Sequence, residues 1–270
     1  MRVLVATGGA PHSDVAVRLG AYIAAMAPGS LTCLTVVRHE RERAQADAIL
    51  TRATLVVAPA LAGAATRIRV GHPAGEIWQE AASGDYDLLV VGDRPEHSLL
   101  RRLLGPTTER LLERLPCPLL VARNWQGTLS RLLLCEGGQN AAWLPHMLAE
   151  FAPLLAAATQ VTVLHVMSQI VARPGVPGWE LRADAPALMA EHTPEGELLA
   201  RDVAALQQVN QRVAACIRHG LVVDEILAEA ANEYDLLVLG AHRGQGWTRL
   251  LLDDLAHQVV TQADRSVLVT

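Results

Sequence analysis

The sequence predicts an α/β protein made of two doubly wound parallel five-stranded sheets, one in each half of the chain. An internal repeat is the first observation behind this prediction. The segment DYDLLVVG at residues 85–92 recurs as EYDLLVLG at residues 233–240. The second observation is that each half alternates short apolar runs with helical patterns. Runs that are apolar throughout indicate strands buried on both faces, as in a parallel sheet covered by helices.

Five strands and four helices are predicted in each half. In the first half the strands are residues 3–6, 31–37, 68–70, 87–91 and 119–122, and the helices 13–27, 40–52, 73–83 and 99–115. In the second half the strands are residues 131–135, 161–166, 213–217, 235–239 and 266–270, and the helices 141–158, 197–211, 223–232 and 247–263. We therefore expect two domains, residues 1–123 and 130–270, the second lengthened by a loop rich in proline and glycine at residues 168–196.

Two further features of the sequence concern the ends of these domains. Residues 267–269 are Val-Leu-Val, and a strand of such residues would expose an apolar sheet edge if it were left unpaired. Trp179 and Met189 lie in the long loop, which we interpret either as a lid over the second domain's site or as a simple insertion.

Composition excludes several classes of function. All 23 basic side chains are arginine, which removes the lysine that Schiff-base enzymes and phosphate-binding P-loops require. A net charge of −5 and only 3% aromatic residues argue against nucleic acid as a partner. Four scattered cysteines without metal or disulfide spacing read as reduced core residues. With no apolar stretch suited to a signal peptide or a membrane span, we expect a cytoplasmic protein without a membrane partner.

Glycine pairs follow the first strand of each half, at the edge where doubly wound sheets bind ligands. In the first half the sequence is Thr7-Gly8-Gly9, and in the second it is Gly137-Gly138, each before a helix. Such glycines could present free N–H groups to an anion at the helix N-terminus. They could equally serve a tight turn that needs a positive φ angle. Both interpretations stay open at this point.

The loops after the fourth strands carry a resemblance to a known family. The DYDLLVVG strand, the leucine-rich turn at 98–104, Gly105 opening a helix and the closing Pro-Leu-Leu-Val at 118–121 resemble the universal stress protein family. The second half resembles it equally through residues 233–240, 241–247 and 249–252. The resemblance covers nearly the whole chain as a tandem of two family domains. It implies a fold like that of the adenine-nucleotide alpha-hydrolase-like proteins. If the family pattern holds, the strands at 118–122 and 266–270 pair at their edges and the two domains form an intramolecular pseudo-dimer, which the apolar residues 267–269 support.

The resemblance also implies how nucleotide binding would be recognised. Family members that bind ATP carry glycine, two residues, glycine, nine residues, glycine, and then serine or threonine. In the first half Gly92 and Gly105 match, but Pro95 replaces the middle glycine and Pro106 replaces the hydroxyl residue. Pro106 has no N–H to donate, although Thr107 could partly compensate.

The second half departs further from that pattern. Only Gly240 matches, because Arg243 replaces the middle glycine and Asp253-Asp254 replace the glycine and the hydroxyl residue. We expect Asp254 to cap the following helix and to repel phosphate. ATP binders in the family also tend to have an aspartate after the first strand, where this chain has Gly8 and Gly137.

These observations give a provisional site assignment without catalytic residues or metal ligands. A nucleotide or anion site in the first domain would use Thr7, Gly8, Gly9, Gly92, Arg94, Gly105 and Thr107, and a degenerate one in the second would use Gly137, Gly138, Gly240 and Arg243. Arg94 and Arg243 occupy equivalent loops and could hold a diphosphate or carboxylate, or be solvated surface residues. His165, within a strand, is interpreted as a core histidine.

The resemblance implies a non-enzymatic stress-response factor that acts through an unknown protein partner or small ligand, with degenerate ATP motifs in both domains. The alternative is a sensor that binds ATP or another adenine nucleotide in the first domain only. A third and weaker alternative is an enzyme that uses ATP. Whether the tandem chain assembles into a further homo-oligomer is left open.

Overall fold

The structure is a computed structural model that describes residues 1–58, 60, 63–84, 86–93, 104–138, 140–168, 179, 182–240 and 247–270. For residues 247–254 it describes the backbone alone, and from residue 255 onward it describes the side chains as well. Contacts divide it into two compact units. Unit 1 comprises Met1–Thr128 and Asp264–Thr270, and unit 2 comprises Leu129–Ala263. The last residues of the chain therefore belong to the unit formed by the first half.

Unit 1 is a parallel sheet with helices inserted between successive strands. Its elements are β1 (Arg2–Ala6), α1 (Pro11–Ala25), β2 (Ser30–Val37), a short 3-10 helix (Glu40–Glu42), α2 (Arg43–Val57), β3 (Ala65–Val70), α3 (Pro73–Ser83), β4 (Leu88–Gly92), α4 (Pro106–Glu113), β5 (Leu119–Ala122) and, from the chain end, β10 (Ser266–Val269). The strand order is β3-β2-β1-β4-β5-β10, parallel except for β10. The order reverses between β1 and β4, which marks the switch point of a doubly wound fold.

Unit 2 repeats this plan. Its elements are β6 (Arg131–Cys135), α5 (Trp143–Ala157), β7 (Gln160–Met167), α6 (Ala185–Ala190), α7 (Pro194–Leu206), β8 (Val213–His219), α8 (Val222–Ala230), β9 (Leu236–Leu239) and α9 (Trp247–Gln262). Within the unit the strand order is β9-β6-β7-β8, all parallel, so the switch point lies between β6 and β9. The predicted doubly wound α/β class is confirmed.

The expected pairing of the two final strands is confirmed. β10 runs antiparallel to β5, with Val267 opposite Val121 and Val269 opposite Leu119. Ser266, fully buried, extends the ladder because its Oγ accepts from the Arg123 N–H at 3.1 Å and donates to the Arg123 carbonyl at 2.9 Å. Since β10 clusters with unit 1, the strands divide six and four between the units, in place of the five and five expected.

The segment expected as a loop at 168–196 is partly helical. α6 lies inside it and α7 begins at Pro194, while residues 169–178 and 180–181 lie outside the described part. Pro186 and Pro194, which suggested a loop, both stand in the first turn of a helix, where proline needs no N–H partner. Asp184 and Thr193 cap these helices through their side chains. The lid interpretation stays a prediction, with Trp179 47% exposed.

The core lies between the sheet and the helices in each unit. The central strands contribute side chains with almost no exposure, for example Leu4, Leu89 and Leu120 in unit 1 and Leu133 and Leu237 in unit 2. Burial on both faces explains why these strands read as continuous apolar runs. Among the described residues no helix is both long enough and apolar enough to cross a membrane.

Candidate functional site

Each unit has one crevice where its fold can receive a ligand, beyond the carboxyl ends of the two strands at the switch point. In unit 1 these are β1, followed by the turn at Thr7-Gly8-Gly9, and β4, which ends at Gly92. In unit 2 they are β6, followed by Glu136-Gly137-Gly138, and β9, which is followed by Gly240. The predicted site residues inside the described part therefore fall at the two switch points.

The glycine turn of unit 1 uses its own hydroxyl groups as acceptors. The Gly8 N–H donates to Ser13 Oγ at 3.4 Å, and the Gly9 N–H donates to Thr7 Oγ1 at 3.3 Å. Gly9 has φ +75, and a Cβ there would lie 2.8 Å from a side-chain carbon of Ile49 in α2. The turn interpretation thus accounts for Gly9. Both amides are held by neutral oxygens at long distance, which an incoming anion could replace.

The other side of this crevice is formed by Gly92 and the residues after it. A Cβ on Gly92 would lie 2.3 Å from the backbone oxygen of His12, so only glycine lets β4 end this close to α1. Thr107 lies in the first turn of α4 and is partly exposed, and Pro106 opens the helix without an N–H. Arg94 lies outside the described residues.

A buried carboxylate that the sequence analysis did not single out lies at the centre of this crevice. Asp93 follows β4 and is 5% exposed, and its Oδ1 accepts from the Gly105 N–H at 3.3 Å. Its Oδ2 accepts from Arg123 Nε at 3.0 Å, and the Arg123 Nη2 group makes a second contact with the same oxygen. The amide that opens α4 is therefore directed at an internal anion. No local pattern in the sequence indicates this pairing, because Arg123 follows β5, a neighbouring strand.

In unit 2 the glycine turn is also directed at an internal carboxylate. Glu136, at the position equivalent to Thr7, is 5% exposed, and its Oε1 accepts from the Gly138 N–H at 2.6 Å. Gly138 has φ +71, so it serves the same left-handed turn as Gly9. His165 Nδ1–H donates to the Glu136 carbonyl at 2.8 Å, as a satisfied core histidine would.

A second buried carboxylate lies near Glu136. Asp202 in α7 is 1% exposed, and its Oδ1 accepts from Arg201 Nε at 2.9 Å. Its Oδ2 has no hydrogen-bond partner among the residues that the structure describes. Burial raises the pKa of Asp202 above the ordinary aspartate value, against the opposing effects of Arg201 and His165. Burial also raises the pKa of Glu136, opposed by the Gly138 N–H and reinforced by the charge of Asp202. The buried position thus favours the protonated form of both carboxyl groups more than an exposed position would.

An indole ring lies close against Gly240 at the switch point of unit 2. A Cβ on Gly240 would lie 3.0 Å from Cδ1 and Nε1 of Trp143, which opens α5 and is 7% exposed. Gly137 has open space around it. Arg243 lies outside the described residues. The sequence analysis missed Trp143, although a tryptophan at the start of the first helix is a signal that could have been weighed.

The expectation for Asp254 is wrong. α9 begins at Trp247, so Asp254 lies in its interior and does not cap it. The reason is local. The first half has Gly105-Pro106 at the aligned place, which starts a helix, whereas residues 247–262 contain neither glycine nor proline, so the helix begins earlier.

Outside the crevices, one polar network occurs in both units. In unit 1, Arg69 of β3 donates from Nε to Glu76 Oε2 at 2.7 Å and from Nη1 to Glu80 Oε2 at 3.1 Å. The Tyr86 hydroxyl donates to Glu80 Oε1 at 3.1 Å. These bonds join the edge strand β3 to α3 and to the start of β4.

Unit 2 has the same network between β8 and α8. Arg218 donates from Nε to Glu229 Oε2 at 2.8 Å and from Nη1 to Glu225 Oε2 at 3.1 Å, and the Tyr234 hydroxyl donates to Glu229 Oε1 at 2.9 Å. Burial, ahead of the other effects, raises the pKa of Tyr234 to about 12. Since the network persists where the ligand turns have diverged, its role is structural.

Metal and thiol chemistry find little support in the described part of the chain. No group of three or more histidine, cysteine or acidic side chains there could hold a metal ion. The four cysteines are free, and burial raises the pKa of Cys33 and of Cys216 to about 11 and raises that of Cys135 further. Those three thiols are therefore protonated near neutral pH and are weak nucleophiles.

Comparison with known families decides the assignment. A sequence model of the universal stress protein family matches residues 1–123 and 145–270. The chain belongs to the universal stress protein family. The resemblance described from the loops after the fourth strands is thereby confirmed, and with it the tandem of two family segments.

Solved structures support the same fold for this universal stress protein. A universal stress protein from Archaeoglobus fulgidus is 16% identical, with a TM-score of 0.69 over 99% of this chain and 97% of that one. A candidate universal stress protein from Pseudomonas aeruginosa is also 16% identical, with a TM-score of 0.69 over 99% of this chain and 92% of that one. A universal stress protein in complex with cAMP is 29% identical, and the match covers 45% of this chain and 94% of that one with a TM-score of 0.38. No curated protein sequence matches the chain.

Proposed function

We propose that this universal stress protein is a non-enzymatic, cytoplasmic stress-response factor that acts by binding a protein partner or a small ligand, and that its two nucleotide motifs are degenerate. One observation carries the proposal. In each unit a backbone N–H at the switch point donates to a buried carboxylate of the chain itself, Gly105 to Asp93 and Gly138 to Glu136.

An internal carboxylate at these amides opposes phosphate binding in two ways. It occupies donors that a phosphate oxygen would need, and a carboxylate that no cation neutralises repels a second anion by about 4 kcal/mol at 4 Å and an effective dielectric constant near 20. A micromolar affinity amounts to about 8 kcal/mol, so such a repulsion removes roughly half of it. In unit 1 Arg123 offsets much of the charge of Asp93, so the occupied donor is the main effect there. In unit 2, Trp143 also fills the space against Gly240.

The absence of catalysis is supported by the surroundings of the described histidines. Where hydrogen bonds or ion pairs of their rings are resolved, the partners are backbone carbonyls, Arg110 or Glu150, and not hydroxyl or thiol groups. A base that activates a nucleophile needs such a hydroxyl or thiol within hydrogen-bond reach. The protonated thiols point in the same direction.

Calorimetric titration of nucleotide-stripped protein with magnesium ATP tests the proposal. We expect no saturable heat from the wild-type chain. Asp93→Ala frees the Gly105 N–H and leaves Arg123 to attract phosphate, so this variant should gain ATP affinity. Glu136→Gln should gain none, because glutamine keeps an acceptor for the Gly138 N–H and Trp143 remains. A folded wild-type chain that binds one ATP with micromolar affinity would overturn the degenerate-motif proposal.

The alternative, an adenine-nucleotide sensor in unit 1 alone, is favoured by one feature of the glycine turn. The Gly8 and Gly9 amides rest on neutral hydroxyls at 3.4 and 3.3 Å, so a phosphate could take them without displacing a charge. If wild-type protein binds one ATP per chain, Gly105→Asp should abolish the binding, since a second carboxylate would then lie beside Asp93. Release of ADP or AMP in that complex would indicate the ATP-using enzyme instead.

A further inference from the structure

The crevice of unit 2 contains a buried ionisable cluster, which consists of Glu136, His165 and Asp202. Glu136 and Asp202 are 5% and 1% exposed, and His165 is half-buried. His165 links the other two, because its Nδ1–H donates to the Glu136 carbonyl at 2.8 Å and its charge acts on Asp202. The ionisable cluster thus connects the glycine turn after β6 with β7 and α7.

Backbone contacts identify the equivalent positions in unit 1. The N–H of Thr7 donates to a carbonyl of β2 at 2.9 Å, and the N–H of Glu136 donates to a carbonyl of β7 at 2.8 Å. The Thr35 hydroxyl donates to the Thr7 carbonyl at 3.0 Å, as His165 donates to the Glu136 carbonyl. Thr7 therefore corresponds to Glu136, and Thr35 corresponds to His165.

The helices α2 and α7 correspond in the same way. A Cβ on the second glycine of each turn would contact Ile49 of α2 in unit 1 and Leu198 of α7 in unit 2. Four residues later on the same helix faces come Ala53 and Asp202, which are 4% and 1% exposed. Unit 2 thus has a carboxyl, an imidazole and a second carboxyl group where unit 1 has two hydroxyl groups and a methyl group.

The charges of the ionisable cluster do not balance when both carboxyl groups are ionised. Arg201 contacts Asp202 Oδ1 at 2.9 and 2.8 Å, whereas Asp202 Oδ2 has no partner in the described part of the chain. Glu136 Oε1 accepts from the neutral Gly138 N–H. Arg201 and His165 are the other described groups whose charges act on the two carboxyl groups. Two carboxylates beside one guanidinium leave an excess negative charge in a buried place, and the uptake of one proton removes it.

Ionisation of both carboxyl groups repels the glycine turn from α7, because Glu136 belongs to the turn and Asp202 to the helix. Burial raises the pKa of each carboxyl group, and the charge of Asp202 reinforces the rise for Glu136. The contact between α7 and the turn is therefore most stable while the ionisable cluster holds a proton. Its stability falls from the ordinary carboxyl pKa of about 4 upward, and the loss is complete above the raised folded values.

We propose that the ionisable cluster of Glu136, His165 and Asp202 is a proton-operated switch for the crevice of unit 2. With one proton bound, α7 packs against the glycine turn through Leu198. Loss of that proton to solvent leaves two carboxylates in one buried site and loosens α7 from the turn, which opens the crevice. Unit 1 lacks the switch, since its equivalent residues do not ionise. The switch goes beyond the proposed function and stands whether or not either crevice binds a nucleotide.

Amide hydrogen exchange of the full chain tests the switch from about pH 4 to about pH 8, with each rate divided by the intrinsic rate at that pH. α2 and the Gly9 amide in unit 1 are the internal control for α7 and the Gly138 amide in unit 2. We expect the unit 2 amides to lose at least about fivefold more protection than the unit 1 amides as the pH rises. This factor corresponds to about 1 kcal/mol, the lower end of the cost of a buried polar group without a partner.

Three variants identify the groups responsible. Asp202→Asn and Glu136→Gln each remove one charge and keep the size of the side chain, so either should abolish the pH-dependent difference between α7 and α2. Glu191→Gln removes an exposed carboxylate at the end of α6 and should leave the difference unchanged. Equal pH dependence of α7 and α2 in the wild-type chain, or a difference that survives in either cluster variant, would overturn the inference. The calorimetric titration with ATP is independent of all these outcomes.

Discussion

The buried ion pair between Asp93 and Arg123 allows a quantitative test of how unit 1 is held together. The side chains are 4% and 7% exposed, and Arg123 Nε lies 3.0 Å from Asp93 Oδ2. The perturbation is a double-mutant cycle of Asp93→Asn, Arg123→Met and the two combined. Asparagine keeps an acceptor for the Gly105 N–H, so the first variant removes mainly the charge.

The expected magnitude follows from the distance and the burial. At 3.0 Å the attraction is about 5 kcal/mol for an effective dielectric constant near 20. Removing one partner leaves an uncompensated buried charge, which typically costs about 3–5 kcal/mol. We therefore expect each single variant to lower the free energy of unfolding by about 3 kcal/mol. The combined variant should lose much less than the two losses added, which leaves a coupling of about 2 kcal/mol or more.

Urea unfolding at neutral pH, followed by circular dichroism, measures the cycle. Equal m-values across the variants are required for comparing the free energies. The control is the pair of Glu40 and Arg43, which has the same 3.0 Å separation but is 70% and 53% exposed. A cycle of Glu40→Gln and Arg43→Met should show no measurable coupling. A coupling between Asp93 and Arg123 as small as in the exposed pair would refute the reasoning.

Three further outcomes are expected. Gly9→Ala should lower the free energy of unfolding by about 1–2 kcal/mol, because Gly9 has a positive φ and the new Cβ would lie against Ile49 of α2. Gly8→Ala should change the free energy of unfolding little, because Gly8 has open space and no positive φ. Urea unfolding compares the two variants. Since burial raises the pKa of Asp202, its charged form destabilises the folded state, and wild-type stability should fall as the pH rises through the folded pKa. Asp202→Asn should flatten that fall and stabilise the protein by about 1 kcal/mol at pH 7. Thermal melts of the wild-type protein that show no such fall would contradict this. Leu268→Ala in β10, where Leu268 is 1% exposed, should cost about 2–5 kcal/mol, and an unchanged melting temperature would mean that the final strand does not stabilise unit 1.

Much of the fold could be predicted because its signals are local. Strands buried on both faces need continuous apolar runs, and the repeat from 85–92 to 233–240 shows that one plan is used twice. The pairing of β5 with β10 was also expected, because the family resemblance implies it and the apolar residues 267–269 support it. Helix starts were less predictable. Pro186 and Pro194 contributed to the expectation of a loop, but both stand in the first turn of a helix.

The candidate site was predictable in its position but not in its contents. The sequence placed the glycine turns at the switch points, because strand order in a doubly wound sheet follows from the pattern of elements. It did not identify Asp93, Arg123, Glu136 or Trp143 as the groups that fill those crevices. Arg123 and Trp143 act on residues brought close by the fold, such as Arg123 from the strand beside β4, whereas Glu136 acts on Gly138 within its own turn.

The sequence by itself thus determined the α/β class, the duplication, the location of both crevices and the departures from the family's ATP pattern. Only the tertiary structure showed that Asp93 and Arg123 pair beside the Gly105 N–H and that Trp143 lies against Gly240. The physical reason is the range of the interactions. Periodicity and turn chemistry act over a few neighbouring residues, as in the bond from the Gly138 N–H to Glu136, whereas these contacts join segments that meet only in the folded chain.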